Sequence, residues 1–232
     1  MSIWTKLRFC FVLPTIVFTA LGVQGQENYS ADGIRVYGNT VVIFARLHLC
    51  NGPTAVRLLA STDNGKTWAK PGALLEGSEF TSSLVSDGRL WIAGLHTAEG
   101  PGIDPFLLIP AHNPLQWKLG RIYEGPSELI AVAMGVNGEL SAWVSHIDMS
   151  TEDWTGPVYL HASSDGGKTW NVIQQQQKVL SSSQREFQEI QKQDRGWRVV
   201  DLEDGGFGIQ HQGAELSEWD TVARFPMERC KD

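Results

Sequence analysis

Basic residues are scarce in this chain. Nineteen Lys and Arg face 26 Asp and Glu, for a formal net charge of −7. No Lys/Arg cluster interrupts that balance, which excludes a nucleic-acid binder, because phosphate contacts need clustered cations. Cysteine is scarcer still, with Cys10, Cys50 and Cys230 alone. Neither they nor the six histidines show C-x-x-C or H-E-x-x-H spacing, so no metal site is indicated. A G-x-S-x-G elbow, a P-loop and a G-x-G-x-x-G turn are all missing, and no cofactor is implied. No low-complexity linker divides the chain. The one long apolar stretch, residues 9–21, is short for a membrane span and holds Pro14.

That stretch follows Lys6 and Arg8 and precedes the small residues of Val23-Gln24-Gly25. This is the layout of a secretory signal over residues 1–25, with a signal anchor as the alternative. Residues 26–232 then make one domain of ample size for a core, in a secreted or periplasmic setting without a stable membrane span. Asn28-Tyr29-Ser30 is an N-glycosylation sequon, meaningful in a eukaryotic source.

What the chain does have is an echo. STDNGKTW at 61–68 recurs as SSDGGKTW at 163–170. Both read S-x-D-x-G-K-T-W, and each follows an apolar strand, 56–60 or 158–162. The residue types suit a tight loop. Asp63 and Asp165 can accept loop N–H groups, and Gly65 and Gly167 supply a left-handed position. Ser61, Thr67, Ser163 and Thr169 add local hydroxyl bonds, and Trp68 and Trp170 gain a fixed place to pack. A structural role for both Asp residues therefore outweighs a catalytic one.

The copies lie 102 residues apart, and a blade or solenoid unit is typically about 40–50 residues, so one eroded unit should lie between them. Trp117 closes it after the apolar run 106–109, and Trp219 closes a more eroded fourth after 207–210. The Trp intervals are 49, 53 and 49. A second marker keeps similar time. Turns at Gly38-Asn39, Asp87-Gly88, Asn137-Gly138 and, more loosely, Asp194-Arg195-Gly196 lead into strands at 40–44, 90–93, 140–144 and 197–200. Four units of about 50 residues, each with room for four short strands, predict an all-β chain folded as a β-propeller. The polar segment 182–193 fits least well. Ser183 and Glu186 match a helical capping box, but we read residues 186–191 as a strand. A ring sets the first and last blades side by side, so Cys50 and Cys230 can clasp its seam in an oxidising compartment.

The octapeptide resembles the Asp-box, the bacterial neuraminidase repeat of the sialidase superfamily. The likeness runs from about Gly38 to Trp170, with a faint extension to Trp219. It implies a sialidase-type propeller of about four blades, which is an incomplete ring against the family's six. The implied activity is that of an exo-α-sialidase-class glycoside hydrolase, and the implied partner is a glycan or glycoconjugate. The same box occurs in other propellers, so a non-catalytic carbohydrate- or protein-binding module is the alternative. In the family the boxes lie on the rim opposite the active site. Sialidases hold the substrate carboxylate with three arginines, a chemistry suited to guanidinium groups, and use an Asp acid/base and a Tyr nucleophile activated by a Glu.

Carried over position by position, little of that set matches. Arg35 lies too close to Gly38 to be the family's first arginine. Arg46, just after the first strand, resembles an arginine found there, but no Asp follows it in 47–51. Ser127-Glu128 before Asn137-Gly138 fits the activating Glu, and so does Ser78-Glu79 before Asp87-Gly88. No Tyr follows Tyr159. Glu128 and Arg46 remain the catalytic candidates, with a surface or inter-blade ion pair as the alternative for Arg46. Trp91, Trp143 and Trp154 are either sugar-stacking or core residues.

Overall fold

The computed structural model describes residues 28–48, 54–72, 74–97, 103–113, 115–148, 150, 156–175, 178–203, 205–213 and 218–225. The proposed leader, the Cys50–Cys230 pairing and Trp154 lie outside the described residues, as does the side chain of Asn28, the first residue of the first strand.

Antiparallel strands make four sheets, and no helix occurs among the described residues. Sheet I holds β1 (Asn28–Tyr37), β2 (Thr40–His48), β3 (Ala55–Ser61) and β4 (Leu75–Glu76). Sheet II holds β5 (Ser78–Ser86), β6 (Arg89–Thr97), β7 (Ile103–Pro110) and β8 (Trp117–Arg121). Sheet III holds β9 (Ser127–Gly135), β10 (Leu140–His146), β11 (Val158–Ser163) and β12 (Asn171–Gln175). Three short strands follow: β13 (Gln184–Glu186), β14 (Gln188–Glu189) and β15 (Gln193–Asp194). The last of these starts sheet IV, completed by β16 (Trp197–Asp201), β17 (Phe207–Gln212) and β18 (Trp219–Phe225).

The first two strands of each sheet are joined where the sequence placed its turns. At Asp87-Gly88 both residues are left-handed, with φ of 50° and 68°, the backbone of a two-residue hairpin whose twist matches its strands. Strands inside such a sheet are buried on both faces, so they read as apolar runs rather than alternations. In β2, Val41, Ile43, Ala45 and Leu47 face a core shared with sheet IV, while Val42 and Phe44 face one shared with sheet II. A third core joins sheets II and III through Leu107, Val132 and Leu140. The stacking order is IV-I-II-III, and among the described residues no hydrophobic cluster joins III to IV. The fold is a partial β-propeller of four sheets.

Trp68, Trp117 and Trp170 each pack into the core that their own sheet makes with the sheet before it in that order. Trp219 differs. It belongs to sheet IV, which stands first in the order, and the Arg198 guanidinium lies 4.1 Å from its ring centroid.

The polar segment is neither a helix nor one strand over 186–191. It is broken, because it crosses from sheet to sheet along the propeller axis. Gln184, Arg185 and Glu186 pair with Gly135, Met134 and Ala133 on the inner edge of sheet III. Gln188 and Glu189 pair with Ser83 and Ser82 on the inner edge of sheet II. Gln191 bridges Ile34 on the inner edge of sheet I, and β15 then becomes the inner strand of sheet IV. This axial strap occupies edge backbone that would otherwise go unpaired. It passes so close to β1 that a Cβ on Gly33 would lie 2.6 Å from the Gln191 carbonyl oxygen.

Candidate functional site

The propeller has two unlike ends. At the turn end lie the hairpins between first and second strands and both octapeptide loops, whose hydrogen bonds are nearly superimposable. The hydroxyls of Ser61 and Ser163 donate to Asp63 and Asp165 Oδ1 at 2.8 Å each, and accept the Gly65 and Gly167 N–H at 2.8 Å. The N–H groups of Thr67 and Thr169 donate to Oδ1 at 2.9 and 3.0 Å, and their hydroxyls donate to Oδ2 at 2.7 Å. The indole N–H groups of Trp68 and Trp170 donate to the carbonyls of Gly65 and Gly167 at 3.0 and 3.1 Å. Donors aimed at a carboxylate favour its charged form. The Thr67 hydroxyl, then its N–H and the Ser61 hydroxyl, hold Asp63 down to about 2. The Thr169 N–H and hydroxyl hold Asp165 well below the usual carboxylate range. A carboxylate saturated by its own loop is a fastener and a poor proton donor.

The variable position inside the octapeptide is not free. Asn64 and Gly166 both sit at positive φ, 57° and 74°, a conformation that Gly and Asn tolerate. Reading S-x-D-x-G as having an open fourth position missed this; that both copies carry an Asn or Gly there is the signal.

At the opposite, mouth end lie the starts of the inner strands and the links from second to third strands. Arg46 of β2 is engaged here. Its Nε and Nη2 donate to Asp32 Oδ1 and Oδ2 at 3.2 and 3.1 Å, a bidentate pair inside sheet I. Asp32 precedes Arg46 in sequence, at an irregularity in β1 between Ala31 and Gly33. Glu128 is exposed at the start of β9, opposite Ser145. Neither Glu128 nor Arg46 lines the cleft at this end. Trp143 is a core residue, 2% exposed against Ala131 and Ala133, and Trp91 packs against the core between sheets II and III.

A cleft of 290 Å³ does open at the mouth end, at the boundary of sheets I and II. Glu76 at the end of β4 lines one side. Ser78 (β5), His96 (β6) and Asp104 (β7) stand in one row across sheet II, since Ser78 pairs with His96 and His96 with Asp104. Arg121, Phe106, Leu74, Leu75 and the half-exposed Leu119 complete the lining. Two carboxylates, a guanidinium and an imidazole thus converge over an apolar floor, the composition of a small-ligand site.

The Ser-His-Asp order suggests nucleophilic catalysis, but the geometry does not. Ser78 is buried, lies 2.8 Å from His96 Nδ1, and also donates to the Glu76 carbonyl at 3.2 Å. Asp104 Oδ1 accepts the Gly125 N–H at 3.0 Å. The same pairing recurs in sheet I, where Ser30 Oγ lies 3.0 Å from His48 Nε2, so the Ser–His contact is a clasp between the first two strands of a sheet. Ser30, Ser78 and Ser127, with His48, His96 and His146, keep the 50-residue beat; searching the histidines for metal spacing alone passed over it.

Sheet III turns its member of the series to another use. Ser127 bonds the Ile103 and Gly125 carbonyls, while His146 Nε2 lies 3.0 Å from His161 Nε2 and its ring stacks on Tyr123 at 3.9 Å. Burial lowers both imidazoles, and His161, which also feels the charge of His146, falls to about 4. No group of three or more His, Cys, Asp or Glu able to hold a metal occurs among the described residues, and no helix there is long and apolar enough to cross a membrane.

No family model matches the chain, and no curated protein matches it by sequence. Solved structures do resemble it. An endo-arabinase from Bacteroides thetaiotaomicron VPI-5482 is 10% identical over 85% of this chain and 74% of its own, with a TM-score of 0.40. The Hadza microbial sialidase Hz136 is 14% identical over 81% of this chain and 42% of its own, with a TM-score of 0.41. The GH43 protein BlXynB from Bacillus licheniformis is 15% identical over 87% of this chain and 41% of its own, with a TM-score of 0.34.

Proposed function

We propose that this chain binds glycans and that the mouth-end cleft takes one sugar residue. The observation that carries the reading is the cleft's lining. Glu76, Asp104, His96 and Arg121 offer hydrogen bonds to hydroxyls around a ring, and Phe106 and Leu119 offer apolar surface to its C–H face. An endo-arabinase and a sialidase are among the solved structures that resemble the chain. The finer reading, an exo-α-sialidase, rests on the octapeptides. It needs an arginine clamp, and Arg46 is held by Asp32, so recognition is the reading we favour. Hydrolysis is a second reading supported by one observation, that two carboxylates line the same cleft, as in most glycosidases other than sialidases. Export through a cleaved leader over residues 1–25 belongs to the same proposal.

A glycan array with purified protein tests recognition. Saturable binding that Glu76→Gln and Asp104→Asn each weaken about tenfold supports the cleft, and binding untouched by both refutes it. Release of fluorophore from a sialoside or arabinoside between pH 4 and 8, abolished by the same substitutions, would establish the hydrolase.

A further inference from the structure

At the turn end a cavity of 600 Å³ opens between sheets I and II and the axial strap. Three arginines from three segments line it: Arg35 of β1, Arg185 of β13 and Arg195 of the β15–β16 turn. Arg35 Nε donates to Ser83 Oγ at 3.0 Å and its Nη2 to the Glu189 carbonyl at 3.3 Å. Arg185 Nη2 donates to Ser86 Oγ at 2.6 Å. These acceptors are neutral, so they aim the guanidinium groups without cancelling their charge. The cavity's two carboxylates are already engaged. Glu186 is ion-paired with Lys178, and Asp194 accepts the Val36 N–H at 2.7 Å. Among the described residues none of the three arginines has a carboxylate partner. In a chain of net charge −7, three cations around one cavity run against the overall balance.

We propose that this cavity binds a tetrahedral oxyanion, a sulfate or phosphate that is either free or esterified to a ligand. Guanidinium groups reach it from different segments, and a tetrahedral oxyanion presents acceptors in several directions, whereas a planar carboxylate is satisfied by one arginine fork. The site lies at the end of the propeller opposite the sugar cleft and does not depend on it.

Titration calorimetry at constant ionic strength, with chloride as the balancing anion, tests the site. The probes are inorganic sulfate, glucose 6-sulfate and glucuronate. Saturable one-to-one binding of sulfate, weakened about fivefold or more by Arg185→Gln and by Arg195→Asn, supports it. Arg195→Asn guards against misfolding, because Asn tolerates the left-handed backbone at φ 46°. Tighter binding of glucose 6-sulfate than of sulfate assigns the site to an esterified ligand, and equal binding assigns it to the free ion. Absence of saturable sulfate binding, affinity unchanged in both variants, or glucuronate binding as tightly as sulfate would overturn the proposal.

Discussion

Two kinds of titrating residue give this protein its response to acid, and they act in different windows. The loops around Asp63 and Asp165 keep both carboxylates charged to lower pH, since folding lowers both below their ordinary value of 3.8. A group depressed by folding contributes stability that is present above its unfolded value and lost as pH falls through its folded one. The octapeptide loops should therefore loosen between about pH 4 and pH 2. Replacing both residues by Asn should lower the melting temperature at pH 7 and flatten its fall in that acid range; an unchanged melting curve would show that the loops fasten nothing. The pair His146 and His161 acts earlier. Its 3.0 Å N···N contact needs one donor and one acceptor, so protonating both rings breaks it. Folding lowers both from 6.5, His161 to about 4. The unfolded chain thus takes up protons first, and stability present above pH 6.5 is lost on the way to about pH 4. His161→Gln should give a shallower fall of melting temperature across that interval than the parent protein.

Elements add a constraint that single residues do not reveal. The strap meets β1 at the Ile34–Gln191 bridge, with Ile34 N–H donating to the Gln191 carbonyl at 2.8 Å. Only a residue without a Cβ leaves room beside it, because Gly33 faces Ile190 and the Gln191 backbone. Gly33→Ala should push the strap off sheet I at a cost of about 1–3 kcal/mol, the usual range for overpacking, with faster hydrogen exchange at Ile34 than at Val42 in β2. Equal exchange at both sites would contradict this. The hairpins and the two octapeptide tryptophans were legible in the sequence because their causes are local: a left-handed pair such as Asp87-Gly88, or the Trp68 and Trp170 indoles bonded to a carbonyl three residues away. The strap was not. Its strands are two or three residues long, its partners lie 49 to 157 residues earlier, and its exposed polar side chains carry no strand period around the buried Phe187. The mouth-end cleft was hidden for a similar reason. Glu76, His96 and Asp104 are ordinary surface residue types until strand register lines them up, while Glu128 and Arg46 drew notice through family resemblance and lie elsewhere.

For the molecule as a whole, the strap has a meaning in time as well as in space. Ribosomal synthesis delivers β1, β5 and β9 well before residues 184–194 exist. Three sheets must therefore wait with open inner edges, a state prone to adhering to other chains. The last quarter of the polypeptide then threads back past them in reverse order, III, II, I, before its own sheet can start. Such distant pairings make for slow maturation, and a chaperone that shields bare edges would find its clearest task in that interval.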